Sequence, residues 1–403
     1  MEKAPVTKRT FRLEVTRALL AGGIVEAFSA TFILYFLITV YHGNDTMKSA
    51  VMSSQRAGLL LGFLAVTFAH RSHRAPSRLA ASVFFLASIG LIVGAAAETA
   101  MVFAVSVAVA SCLWSCTPPL VTQFLRANYP SETRGRLFSM VSVVRGLAAV
   151  MVGLVVGHWL EGEGNDARAV LWLLPFAFLI ASVLLWQVPV ERQLQSLGRL
   201  PQRSFWAAFG WLVKDKRFAL AIVAWMFVGM GMLMCGGLLV EYVANPDYAR
   251  GYSPLQVALV TVVIPTSVQL LTTITWGGLF DRVRFFRLRL VLNTLGSMAV
   301  LVLFLSPAFW GVCVGAALLG LFRGGGNVAW NLWVTKLAPE DHVGEYMSVH
   351  TFFTGIRGIA TPWLGFYLLR EHGVVVFAWT CFILVTLSSL AVLPLLKGER
   401  NVT

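Results

Sequence analysis

Among the charged side chains inside long apolar runs of this 403-residue chain, four are the obvious candidates for chemistry: Glu26, Arg145, Arg323 and Arg357. A charge at the centre of a bilayer costs about 2.5–3.5 kcal/mol, so three arginines facing hydrocarbon would together cost roughly 8–10 kcal/mol. Each is therefore expected to face protein or a wet cavity. The chemistry they offer is ionic recognition. An arginine presents a planar fork that fits a carboxylate or a phosphate, and an intramembrane carboxylate can take up and release a proton. Their neighbours are polar at helical spacing. His350, Thr354, Arg357 and Thr361 share one helix face, as do Arg323, Asn327, Trp330 and Asn331. Pro265, Gln269, Thr272 and Trp276 form a mixed stripe, and Ser142 shares a face with Arg145. The candidate substrate-binding or coupling residues are Glu26, Arg145, Gln269, Arg323, Asn327, Asn331 and Arg357. The set is biased positive, which favours a small organic anion or an amphiphile with an anionic group. A purely structural alternative pairs Glu26 with Arg323 or Arg357.

The elements that must position these residues are membrane helices. The chain is 57% hydrophobic and 13% charged, where a soluble protein carries about a quarter charged residues. The apolar runs reach the roughly 20 residues a helix needs to cross a bilayer. They do not alternate apolar and polar residues, which excludes a barrel. Twelve spans are expected near 18–40, 51–69, 79–97, 100–125, 137–160, 169–188, 217–243, 255–279, 288–306, 309–337, 346–369 and 373–396. The fold class is thus an all-α membrane protein with 12 transmembrane helices in two pseudo-symmetric six-helix bundles. The domains are an N-terminal bundle over 1–188, a central loop over 189–216 and a C-terminal bundle over 217–403. The central loop carries an amphipathic piece whose Phe205, Trp206, Phe209 and Trp211 are expected at the lipid headgroups; the alternative is an extended start to the seventh span. The first apolar run is longer than a signal core and reads as a retained span.

Charge distribution gives the orientation. Of the 32 Lys and Arg, twenty-four fall in the N-terminal tail, the loops on that same side and the C-terminal tail. The opposite loops hold Lys48, Arg168, Arg250 and Arg370, while Arg56, Arg145, Arg323 and Arg357 lie within spans. Positive loops stay inside, so both termini are expected in the cytoplasm of a multi-pass cell-membrane protein. The same asymmetry accounts for the net charge of +13 without a nucleic-acid partner. Cys112 and Cys116 share a helix face, but no His or carboxylate joins them, so neither a metal site nor a cofactor is expected. GLFRGGGN lacks the Gly-Lys-Ser/Thr ending of a phosphate loop. No nucleophile–base pair stands at helical spacing, which argues against an enzyme.

The halves repeat. At an offset of 209, Pro130, Gly135 and Ser139 match Pro339, Gly344 and Ser348, and Arg78 matches Arg287. VVRGLAA and GIRGIAT match at an offset of 212, about one helical turn out of step. Parallel six-span repeats are a transporter feature. The loop GGLFDRVRFFRLRL, residues 277–290, then resembles the loop motif of the major facilitator superfamily. Its members here are Gly278, Asp281 and Arg282, followed by Arg284, Arg287 and Arg289. The first half departs from this pattern, with Ser72 where the offset places Asp281.

The resemblance implies a gating loop at Gly278, Asp281 and Arg282, with Asp281 helping to hold an outward-facing state near Glu345. It also implies that spans 1, 4, 7 and 10 line a cavity flanked by spans 2, 5, 8 and 11. The function implied is secondary active transport of a small solute by alternating access, with H+ as the expected coupling ion and a monomer as the expected form. A drug or lipid exporter working as a proton antiporter is the alternative. Span five lacks the proline of many drug antiporters, although span eleven carries Gly358, Pro362 and Gly365. A transport-inactive membrane sensor is the alternative from another class.

Overall fold

The computed structural model describes residues 3–197, 206–339 and 342–396. Eleven helices are long and apolar enough to cross a membrane, and the last is two helices joined end to end. We label them α1 (Pro5–Thr39), α2 (Asp45–Arg71), α3 (Pro76–Ala95), α4 (Ala100–Asn128), α5 (Ser131–Trp159) and α6 (Ala167–Trp186). The second set is α7 (Lys216–Ala244), α8 (Pro254–Arg282), α9 (Phe285–Leu305), α10 (Phe309–Lys336), α11 (343–372) and α12 (374–396). Gly373 divides the last two at φ 78°, ψ 173°, a conformation open to glycine and strained for other residues. The twelve expected spans are thus present, with the eleventh and twelfth meeting at one residue instead of across a loop.

Local sequence sets several helix starts. Asn44 and Thr99 accept from Met47 N and Val102 N, capping α2 and α4. Asp215 accepts from Arg217 N and Phe218 N at 2.9 and 3.0 Å and so caps α7. The outward faces are apolar: Ile274 is 86% and Leu271 78% exposed, as lipid-facing side chains would be.

The chain forms two compact units. One comprises 1–201 with 244–258, the other 202–243 with 259–403. Within the first unit α2 packs on α4, α3 on α4 and α6, and α1 on α5. Within the second, α8 packs on α10, and α9 on α10 and α12. Adding six to each helix number carries the α2–α4, α3–α4 and α3–α6 contacts onto α8–α10, α9–α10 and α9–α12, so the duplication read from loop motifs is repeated in the packing. A side-chain detail repeats as well. Tyr41 after α1 donates to Ala97 O after α3 at 3.0 Å, and Tyr242 in α7 donates to Phe304 O in α9 at 3.0 Å.

The aromatic segment of the central loop is held by side chains at the start of α11. Phe209 packs on Phe352 and Phe353 with ring centroids 5.1 and 6.3 Å away, and Trp211 packs on His342 and Tyr346. Trp211 Nε1 also donates to Glu345. These two side chains lie against the start of α11, which offers both rings and a carboxylate acceptor. Phe205 and the side chain of Trp206 lie outside the described residues.

Candidate functional site

In the first unit, Glu26 sits in a short α-helical stretch, Gly23–Ala27, between two π-helical turns at Ala18–Gly22 and Phe28–Phe32. Such turns inside α-helices often mark functional positions. Arg145 of α5 reaches Glu26 with Nε 2.9 Å from Oε2. The pair is open: the side chains are 46% and 34% exposed. Two glycines let the helices approach. A Cβ on Gly23 would lie 2.7 Å from Ala148 C and 2.9 Å from Ala149 N, and one on Gly22 would lie 3.1 Å from Arg145 Cγ. The partner of Glu26 is therefore Arg145, in place of the Arg323 or Arg357 that the sequence suggested.

In the second unit, α10 carries Arg323, half-buried, with Asn327 and Asn331 exposed farther along the helix. Arg323 lies against α7, its Nη2 3.1 Å from the Cβ position of Gly236. Asn331 Nδ2 donates to the Asn327 carbonyl at 2.8 Å. Gln269 is half-buried on α8, where its own carbonyl accepts from Thr273 at 2.6 Å. The glycines of α10 serve close packing: a Cβ on Gly320 would lie 2.6 Å from Pro265 O, and one on Gly324 2.7 Å from Thr272 Oγ1.

Arg357 has a different setting from Arg145. It is 6% exposed, and its Nη1 donates to the carbonyl of Trp225 in α7. Gly229 makes the room, since a Cβ there would overlap the Arg357 guanidinium. His350, Thr354 and Thr361, which share its face, are equally buried. The face read from sequence is real, and it points into the interior of the second unit.

Gly278, Asp281 and Arg282 are exposed at the end of α8. Glu345, the region expected to meet Asp281, is engaged by Trp211 and by His342 at 3.3 Å. The sequence reading missed Arg289, counted there among the basic loop residues. It is 3% exposed inside α9 and lies 3.9 Å from the Trp225 ring centroid. Its place two residues into the ninth apolar run was the available signal.

Residues 242–402 match the family model described as Major Facilitator Superfamily. A search of curated proteins gives no match. Among solved structures, a nucleoside transporter, NupG, aligns with a TM-score of 0.75 at 13% identity, covering 98% of this chain and 99% of that one. A D-xylose–proton symporter aligns at 0.68 and 14% identity, covering 99% and 98%. A POT family transporter solved with a thioalcohol-conjugated peptide aligns at 0.72 and 13% identity, covering 98% and 96%. At such identities the likeness is one of fold, and it extends over the whole chain.

Proposed function

We propose that this chain, a major facilitator superfamily protein by fold throughout and by sequence over residues 242–402, is a secondary active transporter of a small organic anion. The observation that carries the reading is the open Glu26–Arg145 pair, 2.9 Å apart and solvent-accessible on both sides. An exposed ion pair is worth about 0–1 kcal/mol, so a solute carboxylate or phosphate can replace Glu26 on Arg145 at little cost. Protonation of Glu26 removes its claim on Arg145 and favours that exchange. The cycle then moves a proton with an anion, and a proton gradient drives it. Arg323, Asn327 and Asn331 supply a second polar face on α10 for the solute, and Gln269 contributes from α8. Arg357 is assigned to holding α11 against α7. Asp281 and Arg282 serve the gating loop, and both termini lie in the cytoplasm.

Binding and flux test this together. Purified protein is screened by thermal shift against anionic metabolites, and the best ligand is followed into proteoliposomes under an imposed pH gradient. Uptake is expected to follow the gradient in the wild type. Glu26→Gln should uncouple uptake from the gradient, and Arg145→Ala should abolish it with insertion intact. Gradient-dependent uptake that is unchanged in both variants would sink the reading.

A further inference from the structure

The second unit contains buried basic chemistry that the proposed cycle does not use. Among the described residues, the buried nitrogens there without a hydrogen-bond partner include Nη1 and Nη2 of Arg289, Nε2 of His350 and Nε1 of Trp333. Their residues are 3%, 1% and 0% exposed, in that order. They gather around Trp225. The Arg289 guanidinium covers its ring at 3.9 Å, the His350 ring centroid is 5.0 Å away, and that of Trp333 is 5.9 Å away. Arg357 joins from α11 by donating to the Trp225 carbonyl. Helices α7, α9, α10 and α11 thus converge two guanidinium groups, an imidazole and an indole N–H on one place.

All four nitrogens can donate, counting His350 in the tautomer that protonates Nε2, and none has an acceptor. Arg289 and His350 both lie within electrostatic reach of Arg357, and His350 lies within reach of Arg289 as well. A buried ion left uncompensated costs several kcal/mol, and one cation–π contact recovers about 2. The missing partner is therefore an acceptor with negative charge.

The first unit shows what stands there in the other half. Gly22 faces Arg145 as Gly229 faces Arg357. Four residues beyond Gly22 is Glu26, which neutralises Arg145. Four residues beyond Gly229 is Leu233, an uncharged residue. At the offset of 209, Ala80 stands where Arg289 brings an added cation. At these positions the second half carries a leucine for the carboxylate and an arginine for the alanine.

We propose that the second unit binds a small inorganic anion of halide size, held by Arg289, His350 and Trp333 beside Arg357, as a fixed counter-charge. The size follows from the complete burial of its donors. The class follows from a shell of donors with no acceptor, which suits a monovalent anion better than a water molecule that must also donate.

The test is thermal unfolding of the full-length purified protein in chloride, bromide or gluconate at equal ionic strength. Chloride and bromide should raise Tm saturably, by about 5–10 °C at a hundredfold excess over Kd, and gluconate should not. Arg289→Gln should unfold at one temperature in all three salts. Leu233→Glu places a carboxylate in the chain where Glu26 stands in the first half. It should fold and lose the halide response, which keeps the test decisive if Arg289→Gln fails to fold. Equal Tm in all salts for the wild type would overturn the proposal. So would an undiminished halide response in Arg289→Gln or Leu233→Glu, the mark of a general salt effect.

Discussion

The two glycine–arginine contacts give a prediction with opposite magnitudes from one kind of substitution. In Gly229→Ala the new methyl would overlap Cζ, Nε and Nη1 of Arg357. That guanidinium is 6% exposed and tied to the Trp225 carbonyl, so it has nowhere to go. Overpacking a well-filled core costs about 1–3 kcal/mol. Losing the charged hydrogen bond adds about 1.5–3 kcal/mol, for a total of about 2.5–6 kcal/mol. In Gly22→Ala the methyl would lie 3.1 and 3.2 Å from Cγ and Cδ of Arg145. That side chain is 46% exposed and can swing aside, so the cost is below about 1 kcal/mol. Domains of this size shift by about 2–4 °C per kcal/mol. Thermal unfolding in detergent should therefore drop by about 5–24 °C for Gly229→Ala and by less than about 4 °C for Gly22→Ala. The larger loss should shrink to the smaller one in an Arg357→Met background, since the two changes share one contact. Equal losses at the two glycines, or a loss at Gly229 that survives Arg357→Met, would refute the reasoning.

Two further outcomes follow from single contacts. Asn293 donates to Ser388 and Ser389 at 3.1 Å each and joins α9 to α12. Interhelical side-chain bonds in membranes average about 0.6 kcal/mol, so Asn293→Leu should lower Tm by less than about 4 °C, and a larger fall would show that the polar contact dominates this seam. Trp211→Phe keeps a ring on Tyr346 but loses the bond to Glu345. A hydrogen bond to a charged group carries about 1.5–3 kcal/mol, so limited proteolysis in the central loop should quicken about tenfold or more, and an unchanged rate would show that ring packing alone holds the segment.

The fold was legible because its signals are long. Runs of about 20 apolar residues and a period of 209 survive errors of a few residues at each end. The faces were legible too: His350, Thr354, Arg357 and Thr361 do lie together, all buried. Which way a face points was not. Arg145 and Arg357 have matching local sequences, VVRGLAA and GIRGIAT, yet one side chain is 46% exposed and the other residue 6%. The difference comes from residues on other helices, Glu26 beside one and Trp225 and Arg289 around the other. Partners of this kind are set by packing between separate helices, as with Arg357 and Trp225, 132 residues apart. Arg289 was hidden for the same reason. A basic residue at the start of a span reads as topology until α7 is seen to lay Trp225 against it.

Under the proposed function, the contrast between the halves bears on how the work of transport would be divided. An ion pair that is open to solvent holds its partners by about 0–1 kcal/mol, so it can be made and broken in every cycle by a proton or a solute. A buried cation cluster behaves in the opposite way. Removing its counter-charge leaves several kcal/mol of uncompensated burial, too much for a step that must reverse readily. The duplicated glycine–arginine contact therefore supports an exchangeable charge at Glu26 and Arg145 and a permanent one at Arg289 and Arg357. On this reasoning, substitutions in the first set should change transport more than stability, and those in the second should change stability first. Replacing Glu26 by glutamine removes one charge from an accessible pair. Replacing Leu233 by glutamate adds one to a closed site. The two changes move the net charge in opposite senses, yet each should make its own half resemble the other.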